Sequence, residues 1–193
     1  MIIYGTKMYG KRNVVHGWGY CDACGKYSQK TSYNARKWGH LYFIPLIPDG
    51  PRVRVVDECK KCSQGIHIPE TEIPALLADL QQRLKNAQNA LLAGQKEFND
   101  NGTMISCTAC LGDAVDTIYS LCAEDHTRQV LTTLQQNGLI YAYHIVNGEA
   151  MESQGKLNEA AKSYCQAADC EPNETLPLLL LGAVHLNNRD HEE

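Results

Sequence analysis

The stretch that decides the fold of this chain begins with Cys21-Asp22-Ala23-Cys24-Gly25 and closes with Cys59-Lys60-Lys61-Cys62. Each end is a C-x2-C turn, and a long interval separates the inner cysteines, Cys24 and Cys59. Two such turns can direct four thiolates to one tetrahedral metal ion, as in structural zinc sites. The spacing therefore predicts one structural zinc ion bound by Cys21, Cys24, Cys59 and Cys62.

The same four sulfurs allow other interpretations. Four free buried thiols are one alternative, disulfides are another, and an iron ion held by four cysteines would use the same residues. Gly25 follows the first pair as such an iron site requires, whereas Ser63-Gln64-Gly65 after the second pair lacks the matching glycine. Zinc is therefore the preferred metal.

The residues around the cysteine pairs are typical of β-strands. Residues 38–44 are rich in β-forming side chains, and Arg52-Val53-Arg54-Val55 alternates at the strand period. Pro45 and Pro48 are expected to end the pairing of their strand, because proline has no amide hydrogen to donate. We expect a three-stranded ribbon over residues 1–70 whose core is too small to be stable without metal.

Residues 43–48 read Phe-Ile-Pro-Leu-Ile-Pro and lie between the two cysteine pairs. With this F-I-P-x-I-P segment, residues 1–70 resemble a zinc-ribbon family found at the N-termini of mostly uncharacterised proteins. The resemblance implies zinc on Cys21, Cys24, Cys59 and Cys62. It implies no activity, because that family has no well-defined chemistry.

After a proline-flanked boundary at residues 68–74 the apolar spacing becomes helical. Leucine and alanine recur every three or four residues over 75–98, and the Asn99-Asp100-Asn101-Gly102 run is expected to end this helix. Further helices are predicted over 104–122 and 125–136. The predicted units are a ribbon at 1–70, a linker and long helix at 71–102, and a helical region at 103–193.

The last third contains a repeat. Small residues recur at Gly148 and Ala160, Tyr164 follows Ala160 by about one helical turn, and Gly182 repeats Gly148 one unit later. This region resembles tetratricopeptide repeats, which are pairs of antiparallel helices about 34 residues long, and it contains one whole unit and the first helix of a second. The predicted fold class is α+β, with a small β zinc ribbon followed by an all-α array of helical hairpins.

The final residues, 189–193, are predicted to form the turn between two helices and the start of a helix that the sequence does not contain. We therefore expect the chain to be truncated within a repeat of a longer protein. The helix at about 175–187 is then expected to expose its apolar stripe, because an uncovered first helix lacks its partner.

The remaining cysteines are candidates for further chemistry. Cys107, Cys110 and Cys122 with His126 could form a second zinc site, and Cys107 with Cys110 could form a redox dithiol at a helix start. Small cysteines buried between helices explain the same pattern. Nine cysteines, an odd number, favour reduced thiols and metal over a secreted disulfide framework, so a cytoplasmic location is expected.

Charge divides the chain. Residues 1–70 carry eleven lysine and arginine residues against five acidic residues, and the rest carries seven against seventeen, so the two parts are +6 and −10. A basic ribbon can bind nucleic acid, and the candidate contacts are Arg36, Lys37, Arg52 and Arg54. The competing interpretation is that the ribbon's aromatic residues, Trp38, Tyr42 and Phe43, form its small core.

The sequence shows no Ser/His/Asp set, buried carboxylate pair or phosphate-binding glycine loop, so no enzyme is predicted. No segment reaches the roughly 18 to 20 apolar residues of a membrane span. The tetratricopeptide resemblance implies a protein or peptide partner on the concave surface formed by the first helices. We expect a non-enzymatic zinc-binding adaptor, with a nucleic-acid-binding protein as the alternative and a thiol-redox protein as the third hypothesis.

Overall fold

The computed structural model describes residues 4–41 and 44–192. Over these residues the chain has the predicted α+β architecture, with an N-terminal antiparallel sheet of four strands, a later β-hairpin and six helices. Tyr42 and Phe43, assigned above to the ribbon core, lie outside the described residues. The elements are β1 (Tyr4–Cys21), β2 (Lys26–Leu41), β3 (Ile44–Cys59), β4 (Ile66–Pro69), α1 (Ile73–Leu92), β5 (Glu97–Asp100), β6 (Thr103–Ser106), α2 (Cys107–Cys122), α3 (Thr127–Gln136), α4 (Ile140–Ser153), α5 (Leu157–Cys170) and α6 (Leu176–Glu192).

The sheet is larger than the predicted three-stranded ribbon. Its strand order is β1-β2-β3-β4, and β1 alone is 18 residues long. The strand is interrupted by bulges, because its register with β2 shifts on both sides of Arg12. Gly10 and Asn13 flank Arg12 with positive φ angles of 72° and 48°, a conformation that glycine and asparagine tolerate best.

Pro45 and Pro48 do not end the ladder, so that prediction is wrong. Both prolines lie within β3, opposite His40 and Trp38 of β2. The register shifts at this end of the sheet, and the pairing of β3 with β4 begins only at Val53. Prolines are tolerated here because an edge position or a bulge does not need every amide hydrogen.

A β-hairpin replaces the predicted end of one helix and the predicted start of the next. The long helix stops at Leu92 instead of near residue 98, and β5 and β6 follow it. Asn101 and Gly102 form the turn with positive φ angles of 52° and 89°, as an Asn-Gly hairpin turn requires. The following helix, predicted to begin at residue 104, begins at Cys107, where Ser106 caps it by accepting the Ala109 N–H.

Two hydrophobic cores hold the helices together. The first joins α1, α2, α3 and α4 with the hairpin, and its buried residues include Leu91, Phe98, Leu111, Val115, Leu134 and Val146. The second joins α4, α5 and α6 with the sheet, and its buried residues are Tyr27, Ile145, Leu157, Ala160, Tyr164, Ala167 and Val184. Tyr27 belongs to β2, so the sheet is part of the helical core.

The last helix is longer than predicted. It continues to Glu192, so the expected turn beginning at residue 189 is wrong. No glycine or proline follows Pro177 except Gly182, and nothing after Asn188 breaks the helical conformation.

The two glycines of the predicted repeat occupy different surroundings, which allows a matched test. A Cβ atom on Gly148 would overlap the ring of Tyr164, whereas a Cβ atom on Gly182 would meet no atom within 4 Å. We expect Gly148→Ala to lower the free energy of unfolding by about 1–3 kcal/mol through overpacking. Gly182→Ala should instead be neutral or stabilise by up to about 1 kcal/mol, because alanine favours the helix. Urea denaturation of both variants checks this, and equal effects would contradict it.

Candidate metal centre

The sheet brings the four predicted cysteine ligands together. Cys21 ends β1 and Cys59 ends β3, while Cys24 and Cys62 lie in the turns that follow these strands. Their sulfur atoms all lie within 4.8 Å of one another. Cys21 and Cys59 are buried and the other two are partly exposed, so the cluster can hold one metal ion at the end of the sheet.

The distances between sulfurs fit a tetrahedral thiolate site. The Cys21 and Cys62 Sγ atoms are 3.7 Å apart, and those of Cys24 and Cys59 are 3.9 Å apart. A zinc–sulfur bond of about 2.3 Å gives a tetrahedral edge of about 3.8 Å. A disulfide would need about 2.05 Å, so the disulfide alternative does not describe this arrangement.

Hydrogen bonds favour the negatively charged form of one of these sulfurs, that of Cys59. The Ser28 hydroxyl lies 3.0 Å from Cys59 Sγ, which also interacts with the backbone N–H groups of Lys61 and Cys62. Burial acts in the opposite direction, but these bonds together lower the pKa of Cys59 to about 6. Burial and hydrogen bonding to the neighbouring thiols raise the pKa of Cys24 to about 12. The four sulfurs therefore cannot all ionise without a cation to balance their charge.

Aromatic residues of the sheet dock it on the helices. The rings of Trp18 and Tyr27 stack with centroids 5.9 Å apart, and the Tyr27 hydroxyl donates to the Glu152 carbonyl at 2.7 Å. The Trp18 ring covers Gly155, where any side chain would overlap it. Glu152 also accepts from Tyr164 and Asn187 through its carboxylate, so one residue of α4 connects β2, α5 and α6.

Arg54 forms a second connection between the sheet and the helices. It is completely buried, and its Nε donates to the Ser120 carbonyl of α2 at 2.9 Å. Its Nη1 donates to the Asn13 carbonyl and to Asn34 Oδ1. Beside it, Asp57 accepts the Ser120 hydroxyl at 3.0 Å. Burial lowers the pKa of Arg54, and the negative charge of Asp57 is among the groups that oppose this shift.

The contact between the sheet and the helices involves the surface that was predicted to bind a partner. The first helices of the predicted repeat are α4 and α6, and α4 contacts β1 while α6 contacts β2. The neighbouring helix α2 contacts β1 and β3. The sheet of the same chain therefore covers part of the surface on which a peptide was expected to bind.

The second predicted metal site does not form. Within the described ranges, 4–41 and 44–192, the four cysteines of the sheet bring their ligand atoms together, whereas Cys107, Cys110, Cys122 and His126 do not form such a group. Cys107 and Cys110 are both buried, and burial raises the pKa of each thiol. Buried thiols held in the protonated form are the opposite of what a redox dithiol needs.

The four predicted nucleic-acid contacts have different environments. Arg54 is buried against α2 and cannot reach a phosphate, so its assignment is wrong. Arg36 lies opposite Arg52 in the register of β2 with β3, and Arg52 is exposed. Lys37 is exposed and pairs with Asp49 at 3.5 Å. The alternation of Arg52 and Arg54 placed both on one strand face but could not tell which one α2 would cover.

Sequence reasoning also missed the residues that connect the sheet to the helices. Tyr27, Asp57 and Glu152 have no local signal in the sequence that distinguishes them from surface residues.

Among the described residues, no helix is both long and apolar enough to cross a bilayer. Comparison of the chain with protein-family models, curated proteins and solved structures finds no match. Neither the zinc-ribbon resemblance nor the tetratricopeptide resemblance is therefore confirmed.

Proposed function

We propose that this chain is a zinc-stabilised, non-enzymatic adaptor that binds a partner protein through the outer face of α6. Zinc suits the four-cysteine cluster because the sulfur spacing matches a tetrahedral thiolate site. Four protein ligands leave no position for a substrate, so the metal's role is structural. Its effect is to hold the ends of β1 and β3 together beside the helices.

The observation that carries the adaptor proposal is an exposed leucine face on α6. Leu178, Leu179 and Leu186 are 59%, 69% and 66% exposed. Together with Gly182 and Ala183 they follow the helical period, whereas Val184 on the opposite face is buried against α5. A continuous apolar helix face in water is typical of a protein-binding surface.

The kind of partner follows from the neighbouring hairpin. In the helical hairpin formed by α4 and α5, α5 covers α4, and the Tyr164 ring packs directly against Gly148. Gly182 is the equivalent residue of α6 in the predicted repeat, and no atom lies within 4 Å of the position that its Cβ would take. An amphipathic helix of the partner, with a large side chain over Gly182, fits this face as α5 fits α4.

Affinity capture with the zinc-loaded chain tests this proposal. The double variant Leu179→Lys/Leu186→Lys should lose partner affinity by about 100-fold or more, because each leucine contributes about 1.5–3 kcal/mol when buried. Met104→Lys changes another exposed apolar residue, 58% exposed on β6, and should leave capture unchanged. Capture that survives the double variant would contradict the proposal. Sedimentation equilibrium showing dimers that the double variant dissociates would instead assign the face to a second copy of the chain.

Nucleic-acid binding remains a second candidate, favoured by one observation. Arg36 and Arg52 lie opposite each other on neighbouring strands, and like charges in this position repel unless an anion lies between them. In the same capture experiment this candidate predicts association that nuclease treatment removes, that weakens steeply with salt, and that depends on Arg36 and Arg52.

A further inference from the structure

A cleft lies between the sheet and the helices α2 and α4. It consists of two adjoining cavities of about 280 Å³ and 160 Å³. Both are lined by Trp18, Gly112, Asp116 and Glu149, so these residues mark the junction of the two cavities. Neither cavity is lined by a cysteine of the metal cluster or by an exposed leucine of α6.

The cleft carries a strong excess of negative charge. Six carboxylates line the two cavities: Asp57, Asp113, Asp116, Asp125, Glu149 and Glu152. Lys30 is the only lysine or arginine among the described lining residues, and it lies 3.7 Å from Asp57. Its charge also acts on Asp116 at the junction, so within the described part of the chain one lysine faces six carboxylates.

Glu149 is the least compensated of these carboxylates. Its Oε2 is screened from solvent and has no hydrogen-bond partner among the described residues. It lies against Gly112 of α2, where any side chain would overlap it. Burial, followed by repulsion from Asp113, Glu152 and Asp116, raises the pKa of Glu149 well above its usual value. A carboxylate oxygen that is screened from water and unpaired is costly, so this position favours a proton or a cation.

Two observations indicate what kind of cation fits. The described carboxylates do not form a metal-ligating cluster, because their oxygens do not come together as the four cysteine sulfurs do. The wall beside them is apolar and includes Val15, Val115, Val146 and Ala150, and the Trp18 indole borders the junction. An aliphatic chain that ends in a positive charge matches this combination, because the indole face also attracts cations.

We propose that this cleft binds an alkylammonium group, with the ammonium between Glu149 and Asp116 and the methylene chain along the valine wall. Both a lysine side chain of another protein and a free polyamine carry this group. The site is separate from α6 and stands independently of the adaptor function.

Isothermal titration calorimetry on the full, zinc-loaded chain tests the proposal. n-Butylammonium should bind saturably and more weakly as salt is raised, whereas n-butanol, its neutral analogue, should bind at least about tenfold more weakly. Glu149→Gln and Asp116→Asn should each lower the affinity for n-butylammonium by about tenfold or more, since each removes a charge-assisted hydrogen bond. Glu159→Gln, an exposed change in the first turn of α5, is the control and should bind as the wild type does.

A second pair of titrations identifies the source of the group. Putrescine represents the polyamines, and Nα-acetyl-lysine-N-methylamide represents a lysine within a protein. Tighter binding of either compound supports the site and names its source. Absence of binding by all three amines, equal binding of n-butanol, or wild-type affinity in both Glu149→Gln and Asp116→Asn would overturn the proposal.

Discussion

Replacing Cys59 with serine is expected to abolish zinc binding and to unfold the cysteine-bearing end of the sheet. A serine hydroxyl stays protonated at neutral pH and is a poor zinc ligand, so only three of the four thiolates would remain. Structural zinc binds small domains with an apparent free energy of about 10–16 kcal/mol, and losing it costs more than about 4 kcal/mol. The helices should lose stability too, because Tyr27 of the sheet lies in the core of α4, α5 and α6.

Elemental analysis and thermal unfolding followed by circular dichroism measure both effects. The wild-type chain should hold one zinc ion, and Cys59→Ser should hold none and melt at a much lower temperature. Cys165→Ser is the matched control, because Cys165 is an exposed free thiol on α5. A Cys59→Ser protein that keeps its zinc and the wild-type melting temperature would show that these thiols do not form the metal site.

Replacing Arg54 with methionine is expected to detach the middle of the sheet from α2. The change keeps much of the side-chain volume but leaves three oxygens without their donor: the Ser120 carbonyl, the Asn13 carbonyl and Asn34 Oδ1. An unsatisfied buried acceptor costs about 1–3 kcal/mol. Relief of the buried charge offsets part of this cost, so we expect the free energy of unfolding to fall by about 2–5 kcal/mol.

Arg52→Met provides the comparison, because Arg52 lies one strand period earlier in β3 and is exposed. It should change stability by no more than about 0.5 kcal/mol. Hydrogen exchange adds a local measurement, since amides of β3 and α2 near Arg54 should exchange faster in Arg54→Met while those of α5 should not. Equal stability of the two variants would mean that Arg54 does not hold the sheet to the helices.

The cysteine cluster was predictable because its geometry is mostly local. A C-x2-C turn places two sulfurs close together by backbone geometry alone. The two turns lie at the same end of the sheet, because β1 and β3 both run antiparallel to β2. The helical periods of α1 and α2 were predictable for a similar reason, since apolar spacing of three and four residues specifies one buried face. The helices α4, α5 and α6 were expected from the tetratricopeptide resemblance.

The hairpin of β5 and β6 was missed because its apolar residues continue a helix-like spacing. Phe98 and Ile105 are paired across the hairpin and pack into the first helical core. Asn101-Gly102 was correctly identified as a chain break, yet the same residues form the tight turn of a hairpin. Whether these residues end a helix or form the turn of a hairpin depends on whether a core is present to bury Phe98 and Ile105.

By itself the sequence determined the α+β division, the four-cysteine cluster and the approximate position of the helices, because each depends on spacing along the chain. Only the tertiary structure decided which residues face water. Arg52 and Arg54 belong to one alternating strand, but α2 covers Arg54 and leaves Arg52 exposed. Likewise, Glu149 lies on a helix whose period does not reveal the carboxylates of α2 beside it. The physical reason is that burial and electrostatic environment arise from contacts between elements distant in sequence, and local pattern does not encode those contacts.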